Sequence, residues 1–327
     1  MEVLKPDPSG IERAVALLRQ AELVAFPTET VYGLGADASR PEAVGKIFAA
    51  KGRPADHPLI VHLPEAASMT EWVIDIPGAA WTLAEWFWPG PMALVLNKQD
   101  QVSDLITGGQ ATVGLRIPQH PVAQSLLQAF GGALAAPSAN RFGRISPTTA
   151  QHVRDEFARV EQSTVAAVMD GGQCPVGVES SIIDLSGDRP RLLRPGMISI
   201  AQIEQVLGES VEQPASHEGP RSSGRLASHY APTTAMAVMS IEAIKTRLSQ
   251  SDARTAVLAL QPAGSTHVSH RWQVMPGDPR AYAHNLYTEL RRLDQQPFDQ
   301  ILVEQPPQTA EWTAINDRLK RAAHDHS

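Results

Sequence analysis

Between Gly208 and Arg225 the sequence contains almost nothing that a core could bury. The stretch is made mainly of Glu, Gln, Ser, Pro, Gly and Arg, which is typical of a linker. A chain of 327 residues is also longer than a single hydrophobic core usually allows. The sequence therefore predicts two domains, at residues 1–207 and 233–327, joined by a linker at 208–232.

Before the linker, apolar runs typical of buried strands are mixed with amphipathic helical patterns. Capping boxes at Ser9 with Glu12 and at Ser39 with Glu42 indicate two helix starts, the second with Pro41 in its first turn. This mixture predicts an α/β domain. The predicted strands lie at 23–26, 59–63, 92–96, 112–117, 133–136 and 181–185, and a closing helix lies at 200–206.

After the linker the core signals begin again, in a regular order. Helical patterns at 241–248 and 280–293 alternate with apolar runs at 235–239, 255–260 and 301–303. Alternating strands and helices are the pattern of a parallel sheet. The sequence therefore predicts a smaller, Rossmann-like α/β domain at the C-terminal end.

Charge and cysteine content exclude several classes of protein. The net charge of -7 argues against a general nucleic-acid binder, so any phosphate site must be a local cluster. Cys174 is the only cysteine in the sequence, which excludes an internal disulfide and a thiolate zinc cage. The first residues lack a secretory pattern, and no run reaches the length of a membrane span. We expect a cytoplasmic protein that does not interact with a membrane.

Two local patterns could bind an anion, although each also has an ordinary structural explanation. Along 112–117, alternation places Thr112, Gly114 and Arg116 on the face opposite the apolar residues. Lys51 and Arg53 stand two residues apart in a turn and could converge on a polyanion such as triphosphate. A solvated strand face and a helix C-terminus complemented by basic residues are the alternatives.

Small polar residues after a buried strand form a further candidate. The string PSAN at 137–140, followed by Arg141, Arg144 and Ser146, could form an anion nest or simply a local turn. The sequence has no Walker-type phosphate loop. The string GLGADA at 33–38 matches a loose dinucleotide fingerprint, but the helix start signals come after the glycines, so we reject it.

Taken together, a series of strings resembles the motifs of the Sua5/YrdC family over nearly the whole chain. In the second part, HYAP at 229–232 and AINDRL at 314–319 resemble the Sua5 extension, which makes this the long, two-domain form. The family linker often reads Pro-Gly-Met before HYAP, whereas this chain has Ser223-Gly224-Arg225. The strings of the first domain are FPTETVYGLG (26–35), KGRP (51–54), HPL (57–59), WPGP (88–91), VGLRIP (113–118), PSAN (137–140) and ESSIID (179–184).

The resemblance implies a fold and a reaction. The fold would be a YrdC-like twisted mixed sheet with a polar, basic concave site, followed by the smaller domain. The reaction would be that of a nucleotidyltransferase, which makes threonylcarbamoyl-AMP and pyrophosphate from L-threonine, bicarbonate or CO2, and ATP carrying Mg2+ on its phosphates. The product would serve a downstream transferase complex that forms N6-threonylcarbamoyladenosine (t6A) in tRNAs reading ANN codons. Direct binding of tRNA by this chain stays open.

The resemblance also implies roles for individual residues. No residue is assigned as a ligand of a protein-bound metal. Tyr230 would close over the nucleotide as a lid. The catalytic residues around the phosphates would be Lys51, Arg53, Ser138 and Asn140. The threonine site would be formed by Thr28, His62, Arg116, Ala136 and Ser180, with Arg116 on the carboxylate. The ATP site would be formed by Lys51, Ala55, Thr112, Ser138, Ser146, Arg194 and Tyr230.

Two alternatives belong to other functional classes or reactions. A YrdC-type module could grip structured RNA through a basic concave surface, which the net charge of -7 disfavours. Carbamoyl transfer of the hydrogenase-maturation type uses a related domain together with cysteine zinc fingers. A chain whose only cysteine is Cys174 cannot form such fingers. A requirement for threonine during ATP consumption separates the synthase from RNA binding.

Overall fold

The computed structural model divides the chain into two compact units. The first comprises Met1–Phe142 and Pro147–Arg225, and the second comprises Gly143–Ser146 and Leu226–Ser327. No helix in the described part of the chain is long and apolar enough to span a membrane. The residues described are 1–158, 164–213, 219–224, 226–263 and 270–324.

A mixed sheet forms the framework of the first unit. Its described strands number ten and lie in the order β1-β8-β2-β3-β7-β4-β6-β5-β9-β10. Strands β4 and β6 are parallel, whereas β6 and β5 are antiparallel, so the sheet is mixed, as the family resemblance implies. The strands are β1 Glu2–Leu4, β2 Leu23–Phe26, β3 Gly33–Asp37, β4 Ile60–His62, β5 Met92–Asn97, β6 Thr112–Arg116, β7 Leu134–Ala135, β8 Val165–Met169, β9 Ser181–Asp184 and β10 Arg191–Arg194.

Helices of the first unit pack on this sheet. Buried residues of α2, including Val44 and Ile47, join a large apolar cluster with Leu94 and Leu115 from the sheet. Alternate residues of β2 belong to two different apolar clusters, so the sheet buries apolar side chains on both of its faces there. The described helices are α1 Pro8–Arg19, α2 Pro41–Lys51, α3 Gly78–Phe87, α4 Asp104–Thr107, α5 Pro121–Phe130, α6 Ala150–Phe157 and α7 Ile200–Leu207, with a 3-10 helix at Ala66–Glu71.

Both predicted capping boxes are wrong. The N-cap of α1 is Asp7, whose side chain accepts from the Gly10 amide at 2.9 Å. Pro8 follows it at the first helical position, where a missing amide costs nothing. At α2 the N-cap is Arg40, because the Ser39 hydroxyl donates to the Asp37 carboxylate at 2.7 Å instead of capping. Local hydrogen bonding of Ser and Asp competes with capping at such positions.

The second unit contains a fully parallel sheet among its described residues, as predicted. Its order is β11-β14-β12-β13, and every adjacent pair is parallel. Residues of β12 and β14, such as Val257 and Leu302, form its apolar cluster with Ile244. The elements are β11 Ala235–Met239, α8 Ile241–Ser249, β12 Thr255–Ala259, β13 His270–Val274, α9 Pro279–Asp294, β14 Gln300–Glu304, a 3-10 helix at Ala310–Trp312 and α10 Thr313–Ala322.

The predicted linker is described only in part. Residues 214–218 and Arg225 lie outside the described residues. Residues 219–224 group with the first unit, and residues from Leu226 onward group with the second. The domain boundaries expected at 207 and 232 stay predictions.

Candidate functional site

Lys51 is the last residue of α2 and joins two distant segments of the first unit. Gly52 follows with φ of 61°, a left-handed conformation that glycine adopts without strain, so the chain leaves the helix at once. The Lys51 ammonium donates to the carbonyl oxygens of Ser138 at 2.6 Å and Asn140 at 2.5 Å. The KGRP and PSAN segments therefore meet at one point.

Burial makes the Lys51 ammonium sensitive to added negative charge. Only 2% of Lys51 is exposed, and this burial lowers the pKa of its ammonium well below the usual value. The positive charge of Arg53 lowers that pKa further. An anion placed beside both cations would relieve their repulsion and favour the charged ammonium. This corner of the first unit is suited to binding phosphate.

Hydrogen bonds connect Arg53 to Arg194 through one serine of the predicted linker. Arg53 Nη2 donates to the Ser223 hydroxyl at 3.2 Å and to the carbonyl of Pro58 at 2.8 Å. Arg194 Nη1 donates to the carbonyl of Ser223 at 3.0 Å. Arg194 Nη2 also donates to the Ser180 hydroxyl at 3.1 Å. One hydrogen-bond network therefore contains Arg53, which is predicted to act on the phosphates of ATP, Arg194, which is predicted to bind ATP, and Ser180, which is predicted to bind threonine.

Two of the residues predicted to bind threonine lie on neighbouring strands. His62 on β4 and Arg116 on β6 are partners in the parallel register, so their side chains share a face. Both are buried, with 3% and 4% of their surfaces exposed. The Thr28 hydroxyl, in the loop after β2, donates to the carbonyl of Val31 at 2.6 Å. The ring of Phe26, at the end of β2, meets the His62 ring edge-on at 6.1 Å.

Glu29 is a buried carboxylate that the sequence analysis did not select. Its Oε1 lies 2.7 Å from Arg116 Nη2, and its Oε2 accepts from the Gln119 amide at 3.0 Å. Arg116 Nε also donates to the carbonyl of Gly90 at 3.2 Å. The guanidinium is therefore held on two sides. The position of Glu29 inside the FPTETVYGLG string was the signal that could have drawn attention to it.

His62 is a neutral histidine in the folded protein. Burial and the neighbouring Arg116 charge together lower the pKa of its imidazole to about 3. Among the described residues, its Nδ1 has no hydrogen-bond partner although the atom is buried. A neutral ring with an unsatisfied nitrogen is suited to a hydrogen bond with a bound polar molecule.

The lowered pKa of His62 predicts acid sensitivity. The unfolded imidazole binds a proton below its ordinary pKa of 6.5, while the folded one does so only near 3, so falling pH favours unfolding. Between pH 7 and pH 5 we expect His62 to remove about 2 kcal/mol of unfolding free energy. Urea unfolding at both pH values should show His62→Gln losing that much less than the unmutated chain. Equal losses in the two proteins would contradict the shift.

A small pocket lined in part by Ser223 adjoins the hydrogen-bond network of Arg53 and Arg194. Thr112 and Gly114 of β6 line it together with apolar side chains of β4, β5 and β9. Ser222 and Ser223 of the predicted linker complete the wall. An apolar wall with a few polar groups is the usual composition of a small-molecule site.

The remaining predicted site residues have varied surroundings. Ala136 follows β7, and its amide donates to the carbonyl of Ile60 at 2.9 Å, which places it beside β4. Ala55 is exposed in the turn after α2. Ser146 and Tyr230 belong to the second unit, where both are buried. Within the first unit, the structure therefore connects Lys51 with PSAN, and Arg53 with Arg194, by direct hydrogen bonds.

Two family models match almost the whole chain. The model for Sua5, YciO and YrdC proteins, described as telomere recombination, matches residues 16–196. This chain belongs to the Sua5/YciO/YrdC family. A second model, described as the C-terminal domain of threonylcarbamoyl-AMP synthase, matches residues 198–324.

Relatives within the Sua5/YciO/YrdC family are similar over their full lengths. The threonylcarbamoyl-AMP synthase of Bacillus subtilis strain 168 is 40% identical over 98% of this chain and 95% of its own. Pyrococcus abyssi Sua5 complexed with L-threonine has a TM-score of 0.90 and 36% identity, covering 99% of this chain and 98% of that chain. A P. abyssi Sua5 variant with adjacent histidine and tyrosine changed to alanine has a TM-score of 0.90, 34% identity and coverage of 100% and 97%. The family and fold class expected from the sequence are confirmed.

Proposed function

We propose that this chain is a threonylcarbamoyl-AMP synthase. It would combine L-threonine, bicarbonate or CO2, and ATP into threonylcarbamoyl-AMP and pyrophosphate. Full-length relatives carry that name, and a similar P. abyssi structure contains L-threonine. The observation that carries the proposal is the Lys51 ammonium bound to both Ser138 and Asn140, next to the buried Arg53. That cluster supplies the cations and small polar groups that a triphosphate needs.

The chemistry needs positioning and charge neutralisation more than a strong base. The threonine nitrogen forms a bond to the carbon of CO2 and loses a proton, which gives a carbamate. A carbamate oxygen then attacks the α-phosphorus, and the bond to the β-phosphate oxygen breaks, so pyrophosphate leaves. Lys51 and Arg53 would stabilise the developing charge, and Ser138 and Asn140 would orient the phosphates. Magnesium would arrive with ATP as part of the substrate.

The threonine side of the site would be the polar face of β4 and β6. We assign Arg116 to the threonine carboxylate, since its guanidinium is buried and held from two sides. Neutral His62 would hydrogen-bond the hydroxyl of threonine through its unsatisfied ring nitrogen. Thr28, Ala136 and Ser180 would complete this part of the site.

The nucleotide side would be built around the pocket of the first unit. Thr112 lines that pocket, and Arg194 reaches the same network through Ser223. We assign Ala55 to the same nucleotide site by the family motif. The family resemblance also assigns Ser146 and Tyr230 to the nucleotide, with Tyr230 as the lid.

The product would be consumed by a transferase complex that forms t6A in tRNA. Threonylcarbamoyl-AMP is a mixed anhydride, so it must pass to an acceptor before water destroys it. The described residues contain no group of three or more His, Cys, Asp or Glu side chains placed to hold a metal.

Threonine-dependent pyrophosphate release tests the proposal. The purified chain is incubated with ATP, Mg2+ and bicarbonate, with and without L-threonine, and the nucleotide product is identified by mass spectrometry. We expect release only with threonine and a product whose mass is that of threonylcarbamoyl-AMP. L-Alanine in place of threonine is the matched control and should give much less product. Threonine-independent release, or none from a folded protein that binds ATP, would contradict the synthase function.

A further inference from the structure

The string AINDRL at 314–319 carries a fully buried charge that the proposed site does not use. Arg318 on α10 has 1% of its surface exposed, and its side chain has none. A buried guanidinium is costly unless it is paired. Arg318 Nη1 lies 2.7 Å from a carboxylate oxygen of Asp317. An ion pair kept at this cost indicates a specific structural or functional role.

The Arg318 guanidinium lies against the ring of Tyr230. Its Cζ is 5.3 Å from the ring centroid, a distance at which a cation is attracted to the aromatic face. Tyr287 of α9 stacks on the same ring, with centroids 5.9 Å apart and planes inclined by 27°. Tyr230 itself is 1% exposed. A cation and a second aromatic ring from the second unit therefore fix the direction of the Tyr230 side chain.

The backbone at Tyr230 needs the same support. Its φ is 65°, a left-handed conformation that is uncommon for a residue with a large side chain. Such conformations persist where the surrounding structure holds them. The guanidinium of Arg321, one turn after Asp317 on α10, donates to the carbonyl of Leu226 at 2.6 Å. The backbone carbonyl of Arg321 accepts from the His229 amide at 3.3 Å.

Asp317 forms ion pairs with both Arg318 and Arg321. Its carboxylate pairs with Arg318 at 2.7 Å and with Arg321 at 2.8 Å. One helical turn thus holds the ring of Tyr230 through Arg318 and the backbone before it through Arg321.

We propose that Arg318 is the positioning residue for Tyr230, and that Asp317 and Arg321 fix the segment 226–230 around it. Arg318 touches no substrate and acts through the tyrosine. This inference rests on the proposed contact of Tyr230 with the nucleotide. It gives the C-terminal unit a defined part in the reaction, because the anchor lies on α10.

Arg318→Met tests the coupling. The methionine keeps an apolar stem, and Asp317 keeps Arg321 as its partner, so no lone buried carboxylate is left. We expect kcat/KM for ATP to fall about tenfold. Added to Tyr230→Ala, the same change should cost less than about twofold, because the side chain it positions is gone. Arg254→Met, which removes an exposed pair with Asp299, is the matched control and should leave kcat/KM unchanged.

Hydrogen exchange separates this inference from the role of Tyr230. Arg318→Met should accelerate amide exchange in a peptide covering 226–231 while β12 exchanges at its original rate. If exchange rises but Tyr230→Ala retains full activity, positioning is upheld and the nucleotide role of Tyr230 fails. Unchanged exchange, or an undiminished tenfold loss on the Tyr230→Ala background, would overturn the inference. Arg318→Lys, which keeps charge without the planar fork, should show the same two effects and replaces the methionine variant if that one does not fold.

Discussion

Arg53→Ala should lower threonine-dependent pyrophosphate release by at least about a hundredfold, the usual loss when a charge-stabilising donor is removed from an active site. Arg53 has 7% of its surface exposed and stands beside the buried Lys51 in the proposed phosphate site. Its removal would leave the developing negative charge with one cation fewer. The measurement is the initial rate of pyrophosphate release at saturating threonine and bicarbonate, with ATP varied.

Two further variants test whether the expected loss of rate comes from the Arg53 guanidinium itself. Arg53→Lys keeps the charge but loses the planar fork, so its rate should fall between those of the unmutated chain and Arg53→Ala. Arg13→Ala removes an exposed arginine of the same unit, which pairs with Glu2 at the surface, and should leave the rate unchanged. A rate for Arg53→Ala within threefold of the Arg13→Ala rate would remove Arg53 from the catalytic set.

Glu29→Gln should produce the largest loss of stability among single changes at the site. The substitution leaves the Arg116 charge buried without its counter-charge, and breaking a buried pair in this way costs about 3–5 kcal/mol. The glutamine oxygen can still accept from the Gln119 amide, so the loss reports mainly on the ion pair. The measurement is the urea midpoint of the unfolding transition of the first unit, followed by tryptophan fluorescence.

The control for this loss is an exposed pair of the same type. Glu2→Gln breaks the surface pair with Arg13, where both side chains are nearly half exposed, and should shift the midpoint very little. The double change Glu29→Gln with Arg116→Met removes both buried charges and should recover most of the lost stability. If Glu29→Gln shifts the midpoint no more than Glu2→Gln does, the pair contributes nothing to stability.

Apolar runs predicted the strands of both units well, because burial in a sheet centre demands continuous apolar side chains. The strand predicted at 23–26 is β2, and the one predicted at 235–239 is β11. Five described strands were missed, namely β1, β3, β8, β10 and β13, and β8 is an apolar run of the same kind that was overlooked. β3 is rich in glycine because a Cβ on Gly35 would come within 2.7 Å of the Phe26 ring. β13 is an edge strand with a largely polar sequence, so it lacks the apolar run by which a buried strand is recognised.

The candidate site could be proposed from motifs, but its connections could not. KGRP and PSAN pointed to Lys51 and Ser138, yet nothing in either string says that the ammonium binds the carbonyl. Glu29 was overlooked because a single carboxylate in an apolar string has no spacing that identifies its partner. Arg116 became its partner only when β6 lay within reach of the loop after β2.

The sequence alone was sufficient for the two α/β units, most strands of their cores and the family, since these follow from periodic burial and from ordered local strings. The tertiary structure decided which charges meet. The ion pair of Glu29 with Arg116, the bond of Ser223 to Arg53 and Arg194, and the contact of Arg318 with Tyr230 join residues far apart in the chain. Such contacts depend on how strands are ordered and how segments return to them, and local sequence encodes neither.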